Sequence, residues 1–457
     1  MENILRLMDK VTSGPICTLK EWDTKVLPGA LRDKLEQYDL SGACDPENPI
    51  TSDDDLAAKF SKAGYELAHE TGMRCQDTER RVLFSEEELK QSLRNAPSKI
   101  ELGSGPDRVD LVTRRPEDPT EPLFQGPLAI EISEDVWIPM VTGIAMNRVI
   151  DVLEPPSMIT IYGRRVLAGT PLETLLGAVE VEWRDEALRR AGRPGMPTVG
   201  IMGSTTYHGQ LGGFNVQGLP RTDIALVLSP FELKTTYHAL HKAVQAKASG
   251  ALIRGGTPSI IGGYAGPAEG AVVANIAATP LQFPVHLADY AAGSMMDLRY
   301  NANTGREGTW ALSMSTQALS RNTDLIISKL CENVCGPMTD LMLYEQAVGM
   351  ITMTVAGASA TTGARSAGGN IQDHLTPLEC WFSAEVFKAA AGMRRKQANE
   401  IVNKLIRKYE DILLDPPKGK TFQELYDVET LTPIPEWQEM VDRVKSELVD
   451  MGLPLDL

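Results

Sequence analysis

Residues 224–289 read IALVLSPFELKTTYHALHKAVQAKASGALIRGGTPSIIGGYAGPAEGAVVANIAATPLQFPVHLAD, and their reading decides the fold. Short apolar runs that suit buried strands, IALVLS, SIIGGY and FPVHLAD, alternate with longer segments, KTTYHALHKAVQAKASG and PAEGAVVANIAAT, that suit helices. Such alternation lays the strands parallel in one sheet, with the helices as crossovers. It extends upstream through MITIYG (158–163), TPLETLLGAVEVEWRDEALRRAG (170–192) and TVGIMGS (198–204). Residues 140–410 leave room for eight units, since a (β/α)8 TIM barrel takes about 250 residues. The expected class is therefore α/β, with an open doubly wound sheet as the rival. The barrel is expected at 140–410, an N-terminal extension packed on it at 1–139, and a C-terminal helical segment at 411–457.

The flanks read as helix. SDDDLAAKFSKAGYELAHETG (52–72) repeats apolar residues at three- and four-residue spacing, and Gly72 ends the run. In FSEEELKQSLRNAP (84–97), Ser85 is the expected N-cap with Glu88 three residues on. Gly103 to Pro127 is rich in Pro and Gly and predicts a surface excursion, with a hairpin as one form. PEWQEMVDRVKSELVDMGL (435–453) is amphipathic helix.

Among 457 residues, 45 are Lys or Arg and 61 are Asp or Glu, a formal charge of −16. That balance repels phosphate backbones and argues against nucleic acid as a partner. Two charge-free runs, 270–288 and 347–364, hold Pro, Asn, Gln, Gly, Ser and Thr, so neither makes the ~20-residue apolar span a membrane requires. The six cysteines are scattered, unlike a disulfide framework, and MENILRLMDK lacks a signal-peptide pattern. A cytoplasmic location is expected.

No G-x-G-x-x-G, no G-x-x-x-x-G-K-[ST] and no G-x-S-x-G occurs, so NAD, ATP and hydrolase chemistry lack motif support. His238 and His241 share a helical face without a third ligand, and Cys331 and Cys335 lack a second pair. No metal is expected. Polar and aromatic residues do gather where strands are expected to end: Tyr207, His208, Tyr264, His286, Asp289, Tyr290 and Glu332. In a barrel such ends converge on one pocket, and a carboxylate with aromatic faces would hold a cation there.

The motifs LGSG (102–105), ISEDVW (132–137), AGRPGMP (191–197), IIGGYAG (260–266) and GKTFQELYDVETLTP (419–433) follow in this order. Jointly the chain resembles the monomethylamine:corrinoid methyltransferase family over nearly its whole length. The resemblance implies a TIM barrel with an N-terminal extension, assembled as a homo-oligomer. It also implies transfer of a methyl group from an amine to the Co(I) of a separate, cognate corrinoid protein. The chain itself would hold no covalent cofactor, since the partner supplies the corrinoid. The family's pyrrolysine, counted without gaps, falls on Val199; its two acidic partners fall on Leu226 and Gly256. A pocket glutamine falls on Leu330 and a pocket tyrosine on Glu332. The expected function is a pyrrolysine-independent methyltransferase for a quaternary or tertiary methylated amine. Two alternatives stand beside it, a barrel enzyme of another class working without a corrinoid and a non-catalytic ligand-binding homologue.

Glu332 is either a rim glutamate, salt-bridged to Lys329 or left in water, or the counter-charge of a cationic methyl donor, with Tyr264 and Tyr290 as aromatic walls. On the second reading, Glu332→Gln keeps the shape and removes the charge. Donor affinity is then expected to fall about 10-fold or more, the ~1.5–3 kcal/mol of a charge-assisted contact. Calorimetry with the true donor measures it, and an unchanged affinity removes the role.

Overall fold

The computed structural model describes every residue except 1, 129, 201–203, 205, 217–222, 364, 456 and 457. Eight parallel strands form the central sheet: Leu123–Gly126, Val152–Leu153, Val199–Gly200, Ile224–Leu228, Leu252–Gly256, Tyr290–Gly293, Ile327–Leu330 and Ala360–Thr362. Each pairs with the next except the second with the third, and the eighth pairs with the first. The remaining gap closes where Leu153 N donates to Pro197 O at 3.0 Å, beside the parallel Leu153–Thr198 bridge. A helix follows every strand, from Glu134–Met146 after the first to Pro377–Ala389 after the eighth. The chain is a TIM barrel.

Several strands differ from the sequence-based expectation. The barrel begins at Leu123, ahead of the expected boundary at 140, because LFQG is too short and polar to stand out. MITIYG is one arm of a two-stranded hairpin, Thr160–Ile161 with Arg164–Arg165. The fifth strand is LIRGG rather than SIIGGY; Ser259–Ile261 pairs instead with Met295–Asp297 outside the barrel. FPVHLAD is mostly the end of the Ala268–His286 helix. Only Val199–Gly200 of TVGIMGS is described as strand, and 201–203 lie outside the described residues.

Local chemistry sets the helix ends. Ser85 and Glu88 form the expected capping box, and Asp53 accepts from Leu56 N to start Asp54–Thr71. Gly72 ends that helix at φ +63, where a side chain would be strained. The first charge-free run becomes the helix Ala268–His286, buried on nearly every side. The Asp54–Thr71 helix crosses it so closely that a Cβ on Gly64 would lie 2.3 Å from Ile276. Among the described residues, no helix is long and apolar enough to cross a membrane.

Besides the crossing at Gly64, two more contacts of the N-terminal extension bear on the barrel. Its hairpin, Lys99–Leu102 with Val109–Val112, puts Ile100, Leu102 and Leu111 into one buried cluster with Val152, Val199, Ile224, Tyr290, Ile326 and Ala360. Those barrel residues lie at the N-terminal ends of their strands, so the hairpin plugs that end. Its strand Met73–Cys75 pairs in parallel with Lys234–Thr235, in the loop after the fourth strand.

Above the plug lies a polar layer. Arg254, 2% exposed, makes a two-pronged pair with Glu154: Nη1 to Oε2 and Nη2 to Oε1, both 2.7 Å. Nη1 also reaches Gln125 Oε1 at 2.9 Å and Thr362 Oγ1 at 2.8 Å. Gln125 Nε2 in turn donates to the Tyr290 hydroxyl at 2.9 Å. Breaking a buried pair on one side strands a charge, at about 3–5 kcal/mol. Glu154→Ala is expected to lose that much in chemical denaturation, whereas adding Arg254→Met restores a large part of it. Strictly additive losses in the double variant would show that the two side chains are energetically independent.

Candidate active site at the barrel mouth

Side chains alternate along a strand, so the inner face of the seventh runs Ile326, Ser328, Leu330 and then Glu332 just past its end. Glu332 therefore projects over the C-terminal mouth, the face where TIM barrels build their sites. Its backbone is pinned by Asn303: Glu332 N donates to Asn303 Oδ1 at 2.9 Å, and Asn303 N donates to Glu332 O at 3.0 Å. Ser294, on the inner face beyond the sixth strand, donates its hydroxyl to Glu332 Oε2 at 2.5 Å. Arg365, beyond the eighth strand, brings Nη1 to 3.4 Å from Glu332 Oε1. Glu332 is only 6% exposed.

Lys329 is not the partner of Glu332. It faces out of the barrel wall, where Nζ donates to Asn275 Oδ1 at 2.6 Å, and burial pushes its amine down to about 7. On the other side of the mouth, the described residues present an exposed apolar side chain. Leu228, at the end of the fourth strand, is 51% exposed, and a Cβ on Gly256 would come within 2.8 Å of it. In the loop beyond, Glu232 is buried; Oε1 accepts from Ile260 N at 2.9 Å, and Oε2 lacks a hydrogen bond among the described residues. Burial raises its carboxyl to about 7.

The remaining expected site residues do not join Glu332. Val199 is fully buried in the cluster beneath the Arg254 layer, so it faces the plug instead of the mouth. Leu226 sits at the edge of that cluster, whereas Gly256 and Leu330 end their strands at the mouth. Tyr290 begins its strand, again on the plug side, and cannot wall a ligand at Glu332. Asp289 precedes it and holds Lys247 at 2.7 Å and Ile253 N at 2.7 Å, a structural clamp at the same end. Tyr264 is half exposed on the loop after Ser259–Ile261, with Lys234 Nζ 5.2 Å from its ring centre.

Tyr207 and His208 open the helix after the third strand. Their rings stack at 4.2 Å, and His241 and His238 lie 4.6 and 5.6 Å from Tyr207, making an aromatic patch on the rim. Among the described residues, no group of three or more His, Cys, Asp or Glu is placed to hold a metal. The sequence reading missed Ser294, Arg365 and the Arg254–Glu154 pair. An arginine inside the apolar strand LIRGG was the one visible sign of the last.

His286 lies behind the wall, fully buried. Nδ1 meets Gln282 Oε1 at 2.6 Å, while Nε2 meets the hydroxyls of Ser229 and Thr235, both at 2.9 Å. An amide oxygen accepts only, so Nδ1 carries the proton and Nε2 accepts from the hydroxyls. Burial lowers its pKa to about 3. Between pH 6.5 and 3 the unfolded chain binds a proton that the folded chain refuses, so this stability is present above 6.5 and lost towards 3. His286→Gln is expected to flatten the unfolding free energy over pH 6.5–4, by up to ~1.4 kcal/mol per unit. Denaturation series at several pH values measure it; identical slopes for both proteins would refute it.

A family model described as monomethylamine methyltransferase MtmB matches residues 3–453. Monomethylamine methyltransferase MtmB3 of Methanosarcina barkeri (strain Fusaro / DSM 804) is 31% identical over 448 residues, 97% of each chain. MtmB of Methanosarcina mazei is 30% identical with the same coverage. The crystal structure of the Methanosarcina barkeri monomethylamine methyltransferase superposes with a TM-score of 0.94 at 29% identity, covering 98% of each chain. The structure of the hydroxylamine MtmB complex gives the same values. Agreement in both sequence and fold along the whole barrel, extension included, means that the chain belongs to the monomethylamine methyltransferase MtmB family and is a methylamine methyltransferase.

Proposed function

We propose that this protein moves a methyl group from a quaternary or tertiary amine to the Co(I) of a separate corrinoid protein, without pyrrolysine. One observation carries the reading: a whole-length family match in a sequence made only of the twenty standard residues. In the transfer, Co(I) supplies the electron pair of the new Co–C bond, and the C–N pair leaves with nitrogen. A neutral methylamine would have to expel a very basic anion. A quaternary ammonium leaves as a neutral amine and needs no adduct-forming residue. The chain's part is then to hold the donor at Glu332 with one methyl towards the open mouth, and to exclude water. Half-exposed Leu228 leaves room for an approaching partner.

The same proposal makes the protein a cytoplasmic homo-oligomer. Its six unbridged cysteines, five of them buried, suit a reducing compartment. The test mixes the purified protein with reduced corrinoid protein and a panel of methylated amines, and follows the cobalt spectrum. A methyl-Co(III) band with a quaternary or tertiary amine is the expected result. Its absence with every amine overturns the reading, and turnover without any corrinoid protein would point to another barrel chemistry.

A further inference from the structure

Arg365 is more charge than a simple cationic donor calls for. Its Nη1 is buried and makes no hydrogen bond among the described residues. Its ion-pair partner, Glu332 Oε1, stands at 3.4 Å without hydrogen-bond geometry. Glu332 is likewise only half engaged, since Ser294 takes Oε2 alone. The floor's bonds do not extend to either group: Arg254 Nη1 and Nη2 and both Glu154 oxygens are engaged within the network of Gln125 and Thr362. An unmet buried donor costs about 1–3 kcal/mol, more when charged, so a site that retains one is poised for an acceptor.

Building on the methyltransferase reading, we propose that Glu332 and Arg365 form a two-charge receptor for a zwitterionic donor, an N-methylated α-amino acid. The donor's carboxylate accepts from Arg365, while its ammonium lies against Glu332 Oε1. The spacing matches. Standard bond lengths put the nitrogen and carboxylate oxygens of an α-amino acid roughly 3 Å apart, against 3.4 Å between Nη1 and Oε1. The donor thus lies antiparallel to the pair and satisfies both groups without prising them far apart. A bare tetraalkylammonium would gain Glu332 but meet the repulsion of Arg365. Anchoring the carboxylate also fixes which substituent of nitrogen points outward, which orients the reacting methyl.

Calorimetry on the intact protein, without any corrinoid protein, tests the receptor using N,N,N-trimethylglycine, N,N-dimethylglycine, choline and tetramethylammonium. The carboxylated compounds are expected to bind at least 10-fold tighter than the other two. Arg365→Gln should reverse the order, weakening trimethylglycine 10-fold or more and strengthening tetramethylammonium several-fold as Glu332 is released. Equal affinities across the wild-type panel overturn the proposal, so it remains decidable even if the variant does not fold. Equal effects of Arg365→Gln on all four compounds overturn it too. The cobalt assay separates the two readings. Methyl-Co(III) from tetramethylammonium but not from trimethylglycine sinks the receptor and leaves the methyltransferase standing; Arg365-dependent carboxylate binding with no methyl-Co(III) from any amine does the reverse.

Discussion

A guanidinium with no route to water sits on the barrel axis, and much of the architecture answers to it. Removing such a cation from solvent costs several kcal/mol unless its hydrogen-bond capacity is met. Arg254 offsets much of that cost through Nη1 and Nη2, which bond groups from the first and eighth strands and from the end of the second, across the barrel from its own fifth strand; its Nε makes no hydrogen bond among the described residues. Strands that share no backbone ladder are thereby held at one spacing. The layer divides the interior, with apolar side chains and the hairpin plug below and the ligand face above. Thr362 donating to Glu154 Oε2 at 3.1 Å closes the network on itself.

The extension is a component of this barrel. Without Ile100, Leu102 and Leu111, the lower cluster would open to water, and Tyr290 would lose the packing that aims its hydroxyl at Gln125. The pairing of Met73–Cys75 with Lys234–Thr235 joins the same extension to the loop that carries Glu232, where Trp22 Nε1 also donates to Glu232 O at 3.2 Å. One segment therefore seals the floor and braces the rim.

Much of this was legible in the sequence. The alternation around 224–289 pointed to an α/β fold with parallel strands, although of the strands read there only IALVLS lies in the barrel, and Ser85, Glu88 and Gly72 announced their helix ends through local chemistry alone. The barrel strands were harder, because several are two to four residues long and such runs carry no period. Strand LIRGG was masked by the arginine that the interior network requires. The end of a strand on which a residue falls depends on register, which no local pattern encodes; hence Val199, Asp289 and Tyr290 lie at the plug, whereas Glu332 lies at the mouth. His286 reads the same whether it faces a ligand or the back of a wall. Arg365 stands in TTGARSAGGN, a small-residue loop with no periodicity to aim it.

The close crossing at Gly64 bears on how such a protein is inherited. The helix Ala268–His286 is buried on nearly every side, and Asp54–Thr71 lies across one face of it. A gene fragment encoding the eight strands and their helices alone would display that helix as a sticky face and leave the floor unsealed. Extension and barrel must then travel through recombination as one piece. The chain behaves as a single heritable unit although its architecture suggests two parts.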